Sequence, residues 1–295
     1  MIKLSIAISC YKPSKKSIEN VEEILSALKD DQEIELSYFL NGLSNNKYED
    51  KLIYTLSNNN FQNIIFKNKN KNIGVGNGVK FAIDSSNGRH VLLLGDDDLI
   101  KKETISFLKN KSIELDFDIA HQYLQDSTYQ DSSYLEKVVS KNNNKYYRLL
   151  AEIGFRSGAL PGFMFRRSLI DKSESWHDKL YPWIKLVFHS EVSTVALVKP
   201  PSMIKIDKGP DIKNRFNDRV PRGHDYGFIE RISYSKNTDI LSLRTFYNSL
   251  CYLWIIKLSK EILSFSKEKY ENLMKKNNIN FFISKYIGKI AGTKT

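Results

Sequence analysis

Four consecutive apolar residues, Val91-Leu92-Leu93-Leu94, run without a break into Gly95-Asp96-Asp97-Asp98. An apolar run with no alternation suits a strand covered on both faces, as in a parallel sheet held between helices. Parallel strands need crossover connections, and the preceding chain supplies them. Ile2, Leu4, Ile6 and Ile8 alternate with Lys3, Ser5, Ala7 and Ser9, which predicts a strand ending near Pro13. Ile18, Val21, Leu25 and Leu28 recur at spacings of three and four, which predicts a helix beginning near Ser14 or Ser17. Ile34, Leu36, Tyr38 and Leu40 alternate again and stop at the turn-forming pair Asn41-Gly42. A third strand at 64–66 and a helix lined by Val75, Val79, Ala82 and Ile83 lead back to the apolar run. The pattern predicts an α/β fold whose parallel sheet binds ligands beyond the carboxyl ends of its strands. Ser9 to Tyr11, Asn41 and Asp96 to Asp98 then converge on one crevice.

Three adjacent carboxylates repel one another unless a cation sits among them. Hard oxygen donors favour Mg²⁺ or Mn²⁺, which bind one or two carboxylates and complete their shell with phosphate oxygens and water. Read alone, an acidic triplet is a solvated turn, or a helix cap at Asp98. The buried strand ahead of it favours the cation.

The two cysteines, Cys10 and Cys251, form no zinc-type cluster, which fits a reducing, cytoplasmic setting. The first residues read as a strand and not as a signal peptide. The longest nearly uncharged apolar stretch, 250–256, is far below the roughly 20 residues of a membrane span. A formal net charge of +11 suits a phosphorylated ligand, an anionic lipid surface or nucleic acid. Much of the excess falls after residue 256, on Lys257, Lys260, Lys267, Lys269, Lys275, Lys276, Lys285 and Lys289. Leu243, Tyr247, Leu250, Trp254, Leu258, Ile262 and Phe265 follow helical spacing there, predicting a basic amphipathic C-terminal helix. A nucleic-acid face would interleave lysines with aromatics instead, so no nucleic-acid partner is expected. Between 115 and 235 the pattern is looser, with strands expected at 118–123 and 163–165.

Ser5-Ile6-Ala7-Ile8-Ser9-Cys10-Tyr11-Lys12, Asn72-Ile73-Gly74-Val75-Gly76-Asn77-Gly78 and the acidic triplet occur in the order found in family-2-like GT-A glycosyltransferases, which this chain resembles over residues 2–110. The stretches Leu94 to Leu99 and Leu160 to Arg167 look closest to the abequosyltransferase-like branch that assembles O-antigens. The resemblance implies a GT-A fold, Rossmann-like, with a mostly parallel sheet flanked by helices and a C-terminal helical appendage. It implies a catalytic domain over 1–235, with a nucleotide-binding half at 1–115 and an acceptor-binding half at 116–235, followed by the helical region 236–295.

The activity implied is inverting transfer of a sugar from a nucleotide-diphosphate donor to a hydroxyl of a lipid-linked or oligosaccharide acceptor in surface polysaccharide assembly, with Mg²⁺ or Mn²⁺. Ser9, Cys10, Tyr11, Asn41, Asn72, Gly74, Asn77, Asp96 and Asp97 would then hold the donor nucleotide. Asp98 and Asp96 would hold the metal, with His224 completing its shell. Arg166, Arg167 and Arg222 would meet diphosphate or acceptor, since a guanidinium fork matches phosphate. Gly95 and Asn41 stand where the family often has acidic residues. The family's Glu-Asp base motif is missing between Asp171 and Ser193, leaving Asp178 as first candidate base, with Glu191 and His189 behind it. The C-terminal helix is expected either to hold the protein on the inner face of a plasma membrane or to pack on the catalytic domain or a second copy as a homodimer. A catalytically silent scaffold of the same fold is the main alternative.

Overall fold

The structure is a computed structural model that describes residues 1–251 apart from 45, 59–60, 123–134, 159, 172, 175, 177–180, 203, 205–230 and 232. Eight strands form one sheet: β1 (Leu4–Cys10), β2 (Ile34–Asn41), β3 (Ile64–Lys69), β4 (His90–Gly95), β5 (Ile119–Gln122), β6 (Val138–Ser140), β7 (Phe163–Arg166) and β8 (Thr194–Val198). Their spatial order is β3-β2-β1-β4-β7-β5-β8-β6. β3, β2, β1 and β4 run parallel, as expected, and β5 and β8 run parallel to each other. β7 is antiparallel to both of its neighbours and β6 is antiparallel to β8.

Crossover helices α1 (Lys15–Asp30), α2 (Lys47–Ser57) and α3 (Val75–Ser85) join the parallel strands, and α4 (Lys102–Leu115) leads from β4 towards β5. Helix α1 starts at Ser14, whose side chain accepts from Ser17 N while the Ser17 hydroxyl takes the Ser14 N–H, a reciprocal cap. Its apolar stripe, Ile18, Val21, Ile24 and Leu28, is buried with Leu4, Ile6, Ile8, Leu92 and Leu94 on one face of the sheet. The other face carries α3 and α5 (Tyr146–Arg156), with Ala7, Phe39, Val91 and Leu93. The unbroken apolarity of β4 thus reflects a strand covered on both sides.

The described part of the expected C-terminal region packs on this second face. Residues 241–251 are helical, and Leu243, Tyr247 and Cys251 join the same core, with the Tyr247 and Phe188 rings edge to face at 5.0 Å. The basic stretch beyond 251 lies outside the described residues.

Strand direction decides which side chains share the crevice. The β7 register sets Arg166 beside His90, at the start of β4, whereas the acidic triplet follows the end of β4. The two sites are therefore separated by the length of a strand, roughly 16 Å over five residues.

Candidate active site

At the carboxyl edge of the sheet, β1, β2 and β4 end side by side, with Ser9 level with both Phe39 and Gly95. The loop entering α3 closes over these strand ends. Asn41, buried at the tip of β2, accepts from Ile73 N at 2.9 Å and donates to Gly74 O at 3.0 Å. Asn72 accepts from Gly74 N at 2.8 Å, and Gly74 turns with a φ of 86°. Gly42 lies so near this loop that a Cβ there would stand 2.8 Å from Asn72 N. At Gly78 a Cβ would collide with Ser9 Oγ and stand 2.6 Å from Asn41 Nδ2, so the glycine lets α3 rest directly on the strand ends.

The N-cap of α3 is Gly74, which has no side chain to cap the helix. The start of α3, the positive end of its dipole, lies against Ser9 through Gly78. Asn77 accepts from Trp176 N at 3.2 Å, which ties Trp176 onto this same rim. Tyr11 is 47% exposed, with Lys12 Nζ 5.2 Å from the centre of its ring. Further along the same edge, Gln122 N donates to Gly162 O at 3.0 Å.

The three carboxylates of the triplet have different surroundings. Asp98 is buried and its Oδ2 accepts from Gly95 N at 2.9 Å, which locks the turn. A Cβ on Gly95 would collide with that same oxygen and stand 3.3 Å from Asp97 Oδ1. The absence of a side chain at 95 thus makes a cradle over which two carboxylates close. Asp97 is exposed. Asp96 turns inward, where its Oδ2 accepts from Ser17 Oγ at 2.8 Å and Cys10 Sγ at 3.1 Å. Burial pushes the Asp96 carboxyl up to about 6, against the lowering effect of the Cys10 and Ser17 donors. Burial, then the charge of Asp96, raises the Cys10 thiol far above its usual range.

These residues fit a divalent cation of the expected kind. Among the described residues no group of three or more His, Cys, Asp or Glu side chains could cage a metal. An ion held by one or two carboxylates and completed by phosphate oxygens and water needs no such cage. The solvent-facing carboxylate over the Gly95 cradle is Asp97, and Asp98 is the residue that shapes the cradle.

Several expected site residues lie elsewhere. Arg166 is at the amino edge, where Nε donates to Asp118 Oδ1 at 2.9 Å and Nη2 to Asp116 O at 2.9 Å. Arg167 N donates to Arg89 O at 3.0 Å on the same edge. Neither reaches the crevice, because β7 runs against β4. His189 and Glu191 precede β8, whose first residues bond Asp118 through Ser193 N at 2.9 Å and Thr194 N at 3.0 Å. That also places them at the amino edge, so neither can serve as base in the crevice. Asp178, Arg222 and His224 lie outside the described residues.

Two contributors escaped the sequence reading. Ser17 contacts Asp96, and Asn20 brackets the turn, donating to Gly95 O at 3.4 Å and accepting from Ile100 N at 3.3 Å. The available signal was two polar residues, three apart, on the apolar stripe of α1.

No protein-family model matches the chain, and a search of curated proteins gave no match. Solved structures do resemble it. It is similar to Staphylococcus aureus TarS residues 1–349, with a TM-score of 0.50 and 14% identity, covering 95% of this chain and 76% of that one. A longer TarS structure gives 0.52 and 14%, with 95% and 46% covered. A mannosyltransferase, PcManGT from Pyrobaculum calidifontis, solved with GDP-Man and Mn²⁺, gives 0.58 and 9%, with 97% and 83% covered. At such identities the likeness establishes architecture: an eight-stranded, mostly parallel sheet flanked by helices, which is the GT-A fold.

Proposed function

We propose that the protein is a glycosyltransferase that moves a sugar from a nucleotide-diphosphate donor to an acceptor hydroxyl with the help of Mg²⁺ or Mn²⁺. The carrying observation is the pair of carboxylates, Asp97 and Asp98, closing over Gly95 beside the start of α3. A cation and a helix N-terminus side by side suit a diphosphate, whose charge grows as it leaves. The mannosyltransferase of the same fold, solved with GDP-Man and Mn²⁺, supports this donor class.

In this reading Asp97 holds the ion, with Asp98 fixing the turn. When bound, the ion neutralises the departing diphosphate. The α3 N–H groups bind the phosphates, Ser9 and Tyr11 border the nucleoside, and Asn41 and Asn72 hold the loop that carries Gly74. Attack by the acceptor hydroxyl on the anomeric carbon, with inversion, needs a carboxylate to take its proton. Asp178 remains the candidate from the sequence and lies outside the described residues. The acceptor class, a lipid-linked or free glycan, rests on the sequence resemblance.

The test is hydrolysis or transfer with a panel of UDP, GDP, CDP and dTDP sugars. Release of a nucleoside diphosphate that needs Mn²⁺ or Mg²⁺ and stops with EDTA is expected. Turnover unaffected by EDTA contradicts the metal assignment, and no turnover with any donor favours the silent scaffold.

A further inference from the structure

We infer that Ser17 and Asn20 of α1 are positioning residues of the acidic turn, setting Asp96 and its neighbours for donor binding without touching the donor themselves; this rests on the proposed glycosyltransferase reading. Ser17 is fully buried in the first turn of α1, where its hydroxyl lies 3.2 Å from that of Ser14. It accepts from Ser14 N at 2.9 Å, and it points its single hydrogen at Asp96 Oδ2, 2.8 Å away. A hydroxyl that accepts one hydrogen bond donates a stronger one, so the helix cap and the carboxylate form one polarised chain. Cys10 Sγ supplies the second donor to the same oxygen. Helix α1 has no acidic residue in its own first turn. Asp96 provides a carboxyl there from the turn after β4, at the positive end of the α1 dipole.

Asn20, one turn later and also fully buried, grips the backbone on both sides of the triplet, at Gly95 O and Ile100 N. A buried amide bonded to the backbone on both sides of a turn restrains its geometry. Ser17 and Asn20 thus fix the carboxylate and the backbone of the turn respectively, while Asp98 fixes it from within. Replacement of either would let the turn relax and Asp97 drift from the cradle.

The test uses the full chain. Isothermal titration with UDP, GDP, CDP and dTDP, each with and without Mn²⁺, gives the metal-dependent gain in affinity. Hydrogen exchange of the peptide spanning residues 93–101 reports the turn directly. Ser17→Ala and Asn20→Ala are expected to lower that gain about tenfold or more, because each removes a bond to a charged or buried group. They should also speed exchange in the peptide, and Ser17→Thr should restore both. Ile24→Val, on the same buried stripe but away from the turn, should lower the melting temperature and leave the gain unchanged. Wild-type gain and exchange in both alanine variants overturn the inference while leaving the proposed function intact. A wild-type protein that gains nothing from Mn²⁺ with any of the four diphosphates overturns both.

Discussion

Asp96 has conflicting demands on it. Two donors and a helix terminus favour its ionised form, yet burial dominates and holds its carboxyl near 6. A folded-state pKa above the unfolded value of about 3.9 means that folding favours the protonated acid. Its contribution to stability is fully present below the unfolded value and is lost as pH rises through about 6. Asp96→Asn keeps an acceptor for Ser17 and Cys10 while removing the charge. At pH 8 without metal, this variant should melt no lower than wild type, with a gain of at most about 3 kcal/mol. The difference should vanish near pH 4, and donor binding should be lost. A lower melting temperature at pH 8 would contradict the assigned burial. The triplet itself was plain in the sequence, but the division of its labour was not. Which carboxylate faces solvent depends on Gly95 and on Ser17, and that information is spread over residues 78 positions apart.

Element by element, β1, α1, β2 and α3 read well because each has a clean period, and β4 because its apolar run is unbroken, whereas α2 was missed because only Glu49, Leu52 and Leu56 of it are buried. Helix α4 was less legible because Thr104 and Ser112 sit in its buried stripe beside Ile105 and Leu108. The short strand β8, Thr-Val-Ala-Leu-Val, has no alternation to mark it. The direction of β7 has no signature in composition at all, and it alone moves Arg166 and Arg167 away from the crevice. At the amino edge these residues close a network around Asp118. Burial would raise the Asp118 carboxyl, but donors from Ser193, Arg166 and Thr194 together hold it below its usual value. A depressed folded pKa gives stability that is present above the unfolded value and lost as pH falls through the folded one. Asp118→Asn should therefore cost about 1–3 kcal/mol at pH 7, with the gap to wild type narrowing below about pH 4. Its affinity for nucleoside diphosphates should be unchanged. Thermal melts across pH and a binding titration check both, and loss of nucleotide affinity would show that the two edges are coupled.

At the scale of the whole molecule, two hydrophobic clusters cover the two faces of the sheet, leaving its edges for polar chemistry. The amino edge is closed by ion pairs among Arg89, Asp116, Arg166 and Asp118. The carboxyl edge carries the start of α3, the acidic turn and glycines at closest approach. No helix among the described residues is long and apolar enough to cross a membrane. The net charge of +11 was legible at once, but it describes the surface and not the site. The central claim, that the carboxyl edge binds a metal-diphosphate and the amino edge does not, is tested by one titration series. Wild type, Asp97→Ala and Arg166→Ala are each titrated with UDP, GDP, CDP and dTDP in the presence of Mn²⁺. The prediction is tight binding of at least one nucleotide by wild type and Arg166→Ala, with affinity reduced about tenfold or more in Asp97→Ala. Binding retained by Asp97→Ala and lost by Arg166→Ala would contradict it.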